Sequence, residues 1–150
     1  MLFRSGFTCK FPLAQRGNLQ VNPNPGSQER ISWSPDGRQL ATYGQDLLQV
    51  WDIPTGKSVF GLNAGLNEAT SAGLIWSPNG KYIAMAAYFN VRVLDVSTRK
   101  FHYTYPIQKI DNQGPNAIAW SPDSSKIVTA ADNVDPKTQR LSTHIRIWQA

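Results

Sequence analysis

With 150 residues, 41% of them hydrophobic and only 17% charged, the chain can build one sizeable core and does not have the composition of a disordered segment. Its one cysteine, Cys9, excludes an intrachain disulfide and a four-cysteine zinc site, and its longest apolar run, residues 82–89, is far short of the ~20 residues needed to cross a bilayer as a helix. The net charge of +5 is spread out, with basic residues adjacent only at Arg99-Lys100, so the basic stripe that would mark a nucleic-acid partner is missing.

Residues 1–30 read as an N-terminal segment. They carry no apolar stretch of secretory type, which makes the cytoplasm the expected location, and they offer a candidate outer strand near 17–21. From Ile31 onward the chain repeats itself. Trp33-Ser34-Pro35-Asp36-Gly37, Trp76-Ser77-Pro78-Asn79-Gly80 and Trp120-Ser121-Pro122-Asp123-Ser124 recur at spacings of 43 and 44 residues. A second column keeps register with the first. Trp51-Asp52 and Leu94-Asp95 each begin 17 residues after the motif serine, and Trp148-Gln149 begins 27 after it.

Each copy alternates short β-type runs with turn residues. The first copy, 31–62, predicts strands at 31–33, 39–43, 47–51 and 58–62; the second, 73–105, predicts them at 73–76, 81–87, 91–96 and 101–105. The third, 117–150, stops after its third strand, whose Ile145-Arg146-Ile147-Trp148 alternates with period two. Proline at the second position and glycine at the fourth suit Ser-Pro-Asp-Gly to a type I turn between antiparallel strands. Four short strands per ~43 residues make a propeller blade, so the expected fold is an all-β partial propeller of three antiparallel blades, the last lacking its outer strand.

These two columns resemble those of the WD-repeat β-propellers, in which a Ser-Pro-Asp-Gly turn follows the first strand and a Trp-Asp pair ends the third. The resemblance covers residues 31–150 and implies a non-enzymatic scaffold that binds a protein partner, without a cofactor. The alternative is a propeller segment of, or accessory domain to, a multidomain enzyme such as a kinase or peptidase. The family's Gly-His pair is missing here, so its buried histidine-to-tryptophan network is not expected and the blades should rest mainly on packing. Three blades do not close a ring. Either the chain is a segment of a longer propeller, or copies pair through open blade edges.

No phosphate loop, nucleophile elbow or zinc-protease motif occurs. His102 and His144 read as packing or solvated residues, and Asp36 and Asp123 as turn stabilisers. The third copy's ten extra residues fall between its second and third strands, at 131–143, and read as a polar loop. Second-to-third and fourth-to-first connections open on one face of such a fold, and loops on a rigid scaffold are where binding sites concentrate. The candidate partner-binding residues on that face are Asp46, Tyr88, Phe89, Asp135, Lys137 and Arg140, with the two cations suited to an acidic partner.

Overall fold

The computed structural model describes residues 30–44, 46–65, 71–87, 90–106, 115–135 and 137–150. Three antiparallel meanders follow one another along the chain. The first sheet holds β1 (Arg30–Trp33), β2 (Gln39–Gly44), β3 (Leu47–Asp52) and β4 (Lys57–Asn63) in sequential order. The second holds β5 (Ser71–Trp76), β6 (Tyr82–Ala87), β7 (Asn90–Asp95) and β8 (Lys100–Pro106), and the third holds β9 (Ala117–Trp120), β10 (Lys126–Val134) and β11 (Leu141–Gln149). No helix occurs among the described residues, and the third sheet has three strands, as the repeats predict. The candidate strand near 17–21 lies outside the described residues.

The turn after each first strand is built identically. Ser34 Oγ donates to Asp36 Oδ1 at 2.6 Å and accepts from Gln39 N at 2.8 Å, while Arg38 N donates to Asp36 Oδ1 at 3.0 Å. Ser77 with Asn79, and Ser121 with Asp123, repeat the arrangement. The turn's fourth residue is left-handed in every copy, at Gly37, Gly80 and Ser124 with φ of 70°, 75° and 61°. Serine at such a φ is strained. Its hydroxyl gives a compensating bond, accepting from Asn79 N of the neighbouring turn at 3.0 Å.

Period-two alternation gives each sheet two faces, and the middle sheet uses both. Leu74, Trp76, Ile83, Met85 and Leu94 pack against Ala41, Tyr43, Leu48 and Val50 of the first sheet. The alternate residues Ile75, Ala84, Ala86, Val91 and Val93 pack against Ile118, Trp120, Ile127 and Trp148 of the third. The first strands lead this stacking, with β5 lying against β1 on one side and β9 on the other. Trp76 N donates to Ser32 Oγ at 2.9 Å across the first contact, and Trp120 Nε1 to the Ile75 carbonyl at 3.2 Å across the second. At the outer edge the Tyr105 hydroxyl donates to the Gln149 carbonyl, and its ring lies 5.2 Å from that of Trp148.

One expectation needs correction. The extra residues of the third copy form a hairpin arm: β10 and β11 pair without a break from Lys126↔Gln149 to Val134↔Leu141. These strands run nine residues where β2 and β3 run six, so β10 continues to Val134 and β11 starts at Leu141, and Ser142-Thr143 sit in a strand. Backbone pairing explains this, because a polar stretch with alternating Thr, Ile and Val satisfies its N–H and C=O groups better in a ladder than in an open loop. Nor is packing the whole account of the third-strand tryptophans. Trp51 Nε1 donates to Thr42 Oγ1 at 3.1 Å and Trp148 Nε1 to Thr129 Oγ1 at 3.2 Å, giving each half-buried indole a partner on the strand beside it.

At Gly73 the second and third sheets leave no room for a side chain. A Cβ built there would stand 2.5 Å from Ile118 Cγ2, and that atom belongs to a β-branched side chain with little room to turn. Gly73→Ala is therefore expected to lower unfolding stability by about 1–3 kcal/mol, read from denaturant midpoints. An unchanged midpoint would show that the two sheets are not in close contact there.

Candidate functional site

The face carrying the second-to-third strand connections is assembled from hydrogen bonds that cross between elements. In the first sheet Asp46 adopts a left-handed φ of 61°, accepts from the Tyr43 hydroxyl at 3.1 Å through Oδ1, and accepts from Ala64 N at 2.6 Å through its carbonyl. Ala64 begins the connection to the second sheet. Its own carbonyl accepts from Arg92 Nη1 on β7, so one chain of bonds runs from the β2–β3 turn to the neighbouring blade. The Arg92 guanidinium also lies over the Phe101 ring, 3.6 Å from its centroid. Burial pushes the Arg92 pKa down from its ordinary value, while the Tyr43 hydroxyl nearby pushes the other way. The guanidinium remains a cation, as arginine does in folded proteins.

Arg92 was not legible as an interblade residue. In Val91-Arg92-Val93 it alternates with buried valines and reads as solvent-facing, whereas in a stacked sheet the opposite face meets another sheet.

The third sheet closes the same face differently. Asp132 on β10 accepts from Asn116 Nδ2 at 2.7 Å and from Thr143 Oγ1 at 2.9 Å, tying the entry to β9 to the base of the arm. At the arm's tip Asp135 accepts from Lys137 N at 2.8 Å and Thr138 N at 2.9 Å, and its carbonyl accepts from Gln139 N at 2.8 Å. The turns after β3 and β7 have the same plan. Asp52 and Asp95 each hold the turn by their carboxylates, with carbonyls that accept from Gly56 N and Arg99 N. The residue four after the aspartate is left-handed each time, at Gly56, Arg99 and Gln139.

Of the six sequence-predicted contact residues, Asp135, Lys137 and Arg140 come together on the arm's turn, all exposed. Asp46 belongs to the first sheet, with the second sheet between it and the arm, and its Oδ1 and carbonyl oxygen are engaged within the fold. Tyr88 and Phe89 lie outside the described residues. His102 stacks on Tyr82 with ring centroids 6.1 Å apart, which gives it a packing role. Among the described residues no group of three His, Cys, Asp or Glu is gathered to hold a metal, and no helix is long and apolar enough to cross a membrane.

Sheets that follow one another in chain order, stacked face to face with their first strands leading, define an all-β partial propeller. The chain belongs to the family of the eukaryotic translation initiation factor eIF2A, whose family model matches residues 23–150. No curated protein matches it.

Two outcomes test this construction. Arg92→Ala should cost about 1–3 kcal/mol in chemical denaturation, because it removes a charged donor from a carbonyl and a cation from an aromatic face, and Arg92→Lys should restore only part. Equal stability of all three proteins would remove Arg92 from the interblade link. The second outcome concerns acid. Hydroxyl and backbone donors hold the Asp36, Asp52, Asp95 and Asp135 carboxyls below their ordinary value, and Asp123, bonded first by the Ser121 hydroxyl, is lowered to about 2. A pKa lowered on folding contributes stability that is present above the unfolded value of 3.8 and is lost as pH falls through the folded one. Thermal unfolding should therefore be steady above about pH 5 and fall toward pH 2, and Asp123→Asn should flatten part of that fall. Asn79 already makes the corresponding bonds in the second copy, so the substitution leaves the turn intact. An acid limb as steep in the variant as in the parent would show that Asp123 does not contribute.

Proposed function

We propose that this chain is a non-enzymatic, WD-repeat-type scaffold that supplies a protein-binding surface in translation initiation, with the β10–β11 arm as its contact element. Family membership supports the biological setting, and the paired Trp and Asp columns support the repeat type. One observation carries the choice of surface. The arm is the place where the third repeat departs from the plan of the other two, extending both strands and presenting Lys137 and Arg140 at an exposed tip. Asp135, whose Oδ1 accepts from the backbone N–H groups of Lys137 and Thr138, is the one carboxylate between residues 135 and 140, so Lys137 and Arg140 leave that stretch net positive toward an approaching acidic protein surface.

The non-enzymatic reading is supported by what the acidic residues do. General acid work calls for a carboxyl with a raised pKa in a sheltered site, and the five perturbed aspartates are all lowered, solvent-facing and bonded within turns. A rigid repeat with a projecting hairpin offers preorganised surface instead, which lowers the ordering cost of binding.

The test is a pull-down from a translation-competent extract with the chain immobilised, read for initiation proteins with and without nuclease. The double variant Lys137→Ala/Arg140→Ala should capture about tenfold less while its thermal stability stays within ~0.5 kcal/mol of the parent. Capture that vanishes on nuclease treatment would make RNA the bound species, and undiminished capture by the double variant would place the contact away from the arm.

A further inference from the structure

The second Ser-Pro turn differs from its two counterparts in chemistry. Where the first and third carry Asp36 and Asp123, it carries Asn79 followed by Gly80, the one Asn-Gly pair in the chain. An asparagine amide before glycine is open to attack by the next main-chain nitrogen, since glycine has no Cβ to obstruct the approach. The Gly80 nitrogen gives its proton to solvent and bonds to Asn79 Cγ, and the Cγ–Nδ2 bond breaks with release of ammonia. Water then opens the five-membered imide at one of its two carbonyls. Opening at Cγ leaves an aspartate, and opening at the former main-chain carbonyl leaves an isoaspartate whose backbone runs through the side chain. The sum is amide plus water to carboxylic acid plus ammonia, with no change of oxidation state.

Asn79 is exposed, so solvent reaches it, and conformation is what stands in the way. Closing the ring brings the Gly80 nitrogen into line with Cβ about the Asn79 Cα–C bond, whereas a type I turn holds its third residue near ψ ~0°, about a third of a rotation away. Each group that has to move is tied down. Gly80 N donates to the Ser77 carbonyl at 2.9 Å, and the Gly80 carbonyl accepts from Trp76 Nε1 at 3.0 Å. Asn79 Oδ1 accepts from Ser77 Oγ at 2.8 Å and from Lys81 N at 3.0 Å, and Asn79 N donates to Ser124 Oγ of the third sheet's turn at 3.0 Å. Trp76 and Ser77 are themselves buried.

We infer that Asn79-Gly80 is a conditional modification site, closed to imide formation while the second turn is folded and opened when that turn comes apart. Aspartate at position 79 rebuilds the turn, as Asp36 and Asp123 show, because the bonds to Oδ1 require only an acceptor. Isoaspartate does not. It adds a carbon to the backbone inside a turn whose hydrogen bonds are set by residue count, so Gly80 no longer meets Ser77 and Trp76 together. A chain that has opened there is left with a weakened junction between its second and third sheets, where Asn79 N meets Ser124 Oγ. This chemistry is independent of the arm tip and of whatever binds there.

The test incubates the full chain in mildly alkaline buffer, with and without enough guanidinium chloride to unfold it, and follows the tryptic peptide ending at Lys81 by mass spectrometry. Deamidation, read as the gain in mass from amide to acid with chromatographic separation of aspartate from isoaspartate, should be at least about tenfold slower in native buffer. Trp76→Phe, which removes the indole donor and keeps an aromatic ring, should raise the native rate several-fold and leave the denatured rate unchanged. Circular dichroism checks that this variant folds, and the comparison of the parent in the two buffers stands without it. Equal rates in the two buffers would overturn the inference, as would a folded Trp76→Phe protein that deamidates no faster than the parent. Asn79→Asp should keep the parent's thermal stability, and isoaspartate-containing chains that refold to that same stability would also overturn it.

Discussion

Every element of this molecule answers one constraint: a sheet with apolar side chains on both faces must be covered on both sides. The second sheet meets it fully, sending Ile83 and Met85 of β6 one way and Ala84 and Ala86 the other, all of them buried. Side chains of alternate parity cannot share a face, so a two-sided strand can be buried only by a second and a third layer. Stacking sheets in chain order supplies those layers at short connection length, and the bulges repeated at Val50/Trp51 and Val93/Leu94 adjust the two complete sheets in the same way.

Polar groups are arranged to serve that stacking. The serine and acidic or amide residues of the Ser-Pro turns satisfy backbone N–H groups close to the sheet junctions, and the same turns reach across to one another, as Asn79 does to Ser124. Ser124 illustrates the compromise. It takes up a left-handed backbone that glycine adopts freely in the other two copies, and its hydroxyl gives the neighbouring turn a bond that glycine could not. On the opposite face Arg92 does similar work between the first and second sheets, joining a connecting-segment carbonyl to an aromatic ring.

The arm of the third sheet shows how a scaffold of this type gains a surface element without disturbing its core. Lengthening β10 and β11 together keeps the ladder paired and the buried residues Ile127 and Thr129 in register with Trp148 and Arg146. At the tip, Asp135 and Gln139 reproduce the turn that closes the β3–β4 and β7–β8 hairpins, so a solved local problem is used again. For a member of the eIF2A family, this places cationic side chains on a stiff support away from the stacked faces.

How much was legible beforehand follows from the range of the interactions involved. The period of 43 to 44 residues, the turn motif and strict alternation determined the strand order, the three sheets and the missing outer strand of the third, because all of these depend on neighbours within one repeat. Asp135, Lys137 and Arg140 were recognisable as one surface group for the same reason, being close in the chain. The tertiary structure alone decided that residues 131–143 continue a hairpin instead of forming a loop, since strand pairing competes with solvent for each backbone group and local polarity does not reveal the winner. It alone placed Arg92 between blades, gave Trp51 and Trp148 their threonine partners, and required glycine at position 73, where Ile118 approaches from 45 residues away in sequence. Such contacts depend on the face each residue presents after three sheets have stacked, and alternation within one strand specifies two faces without saying what will cover either.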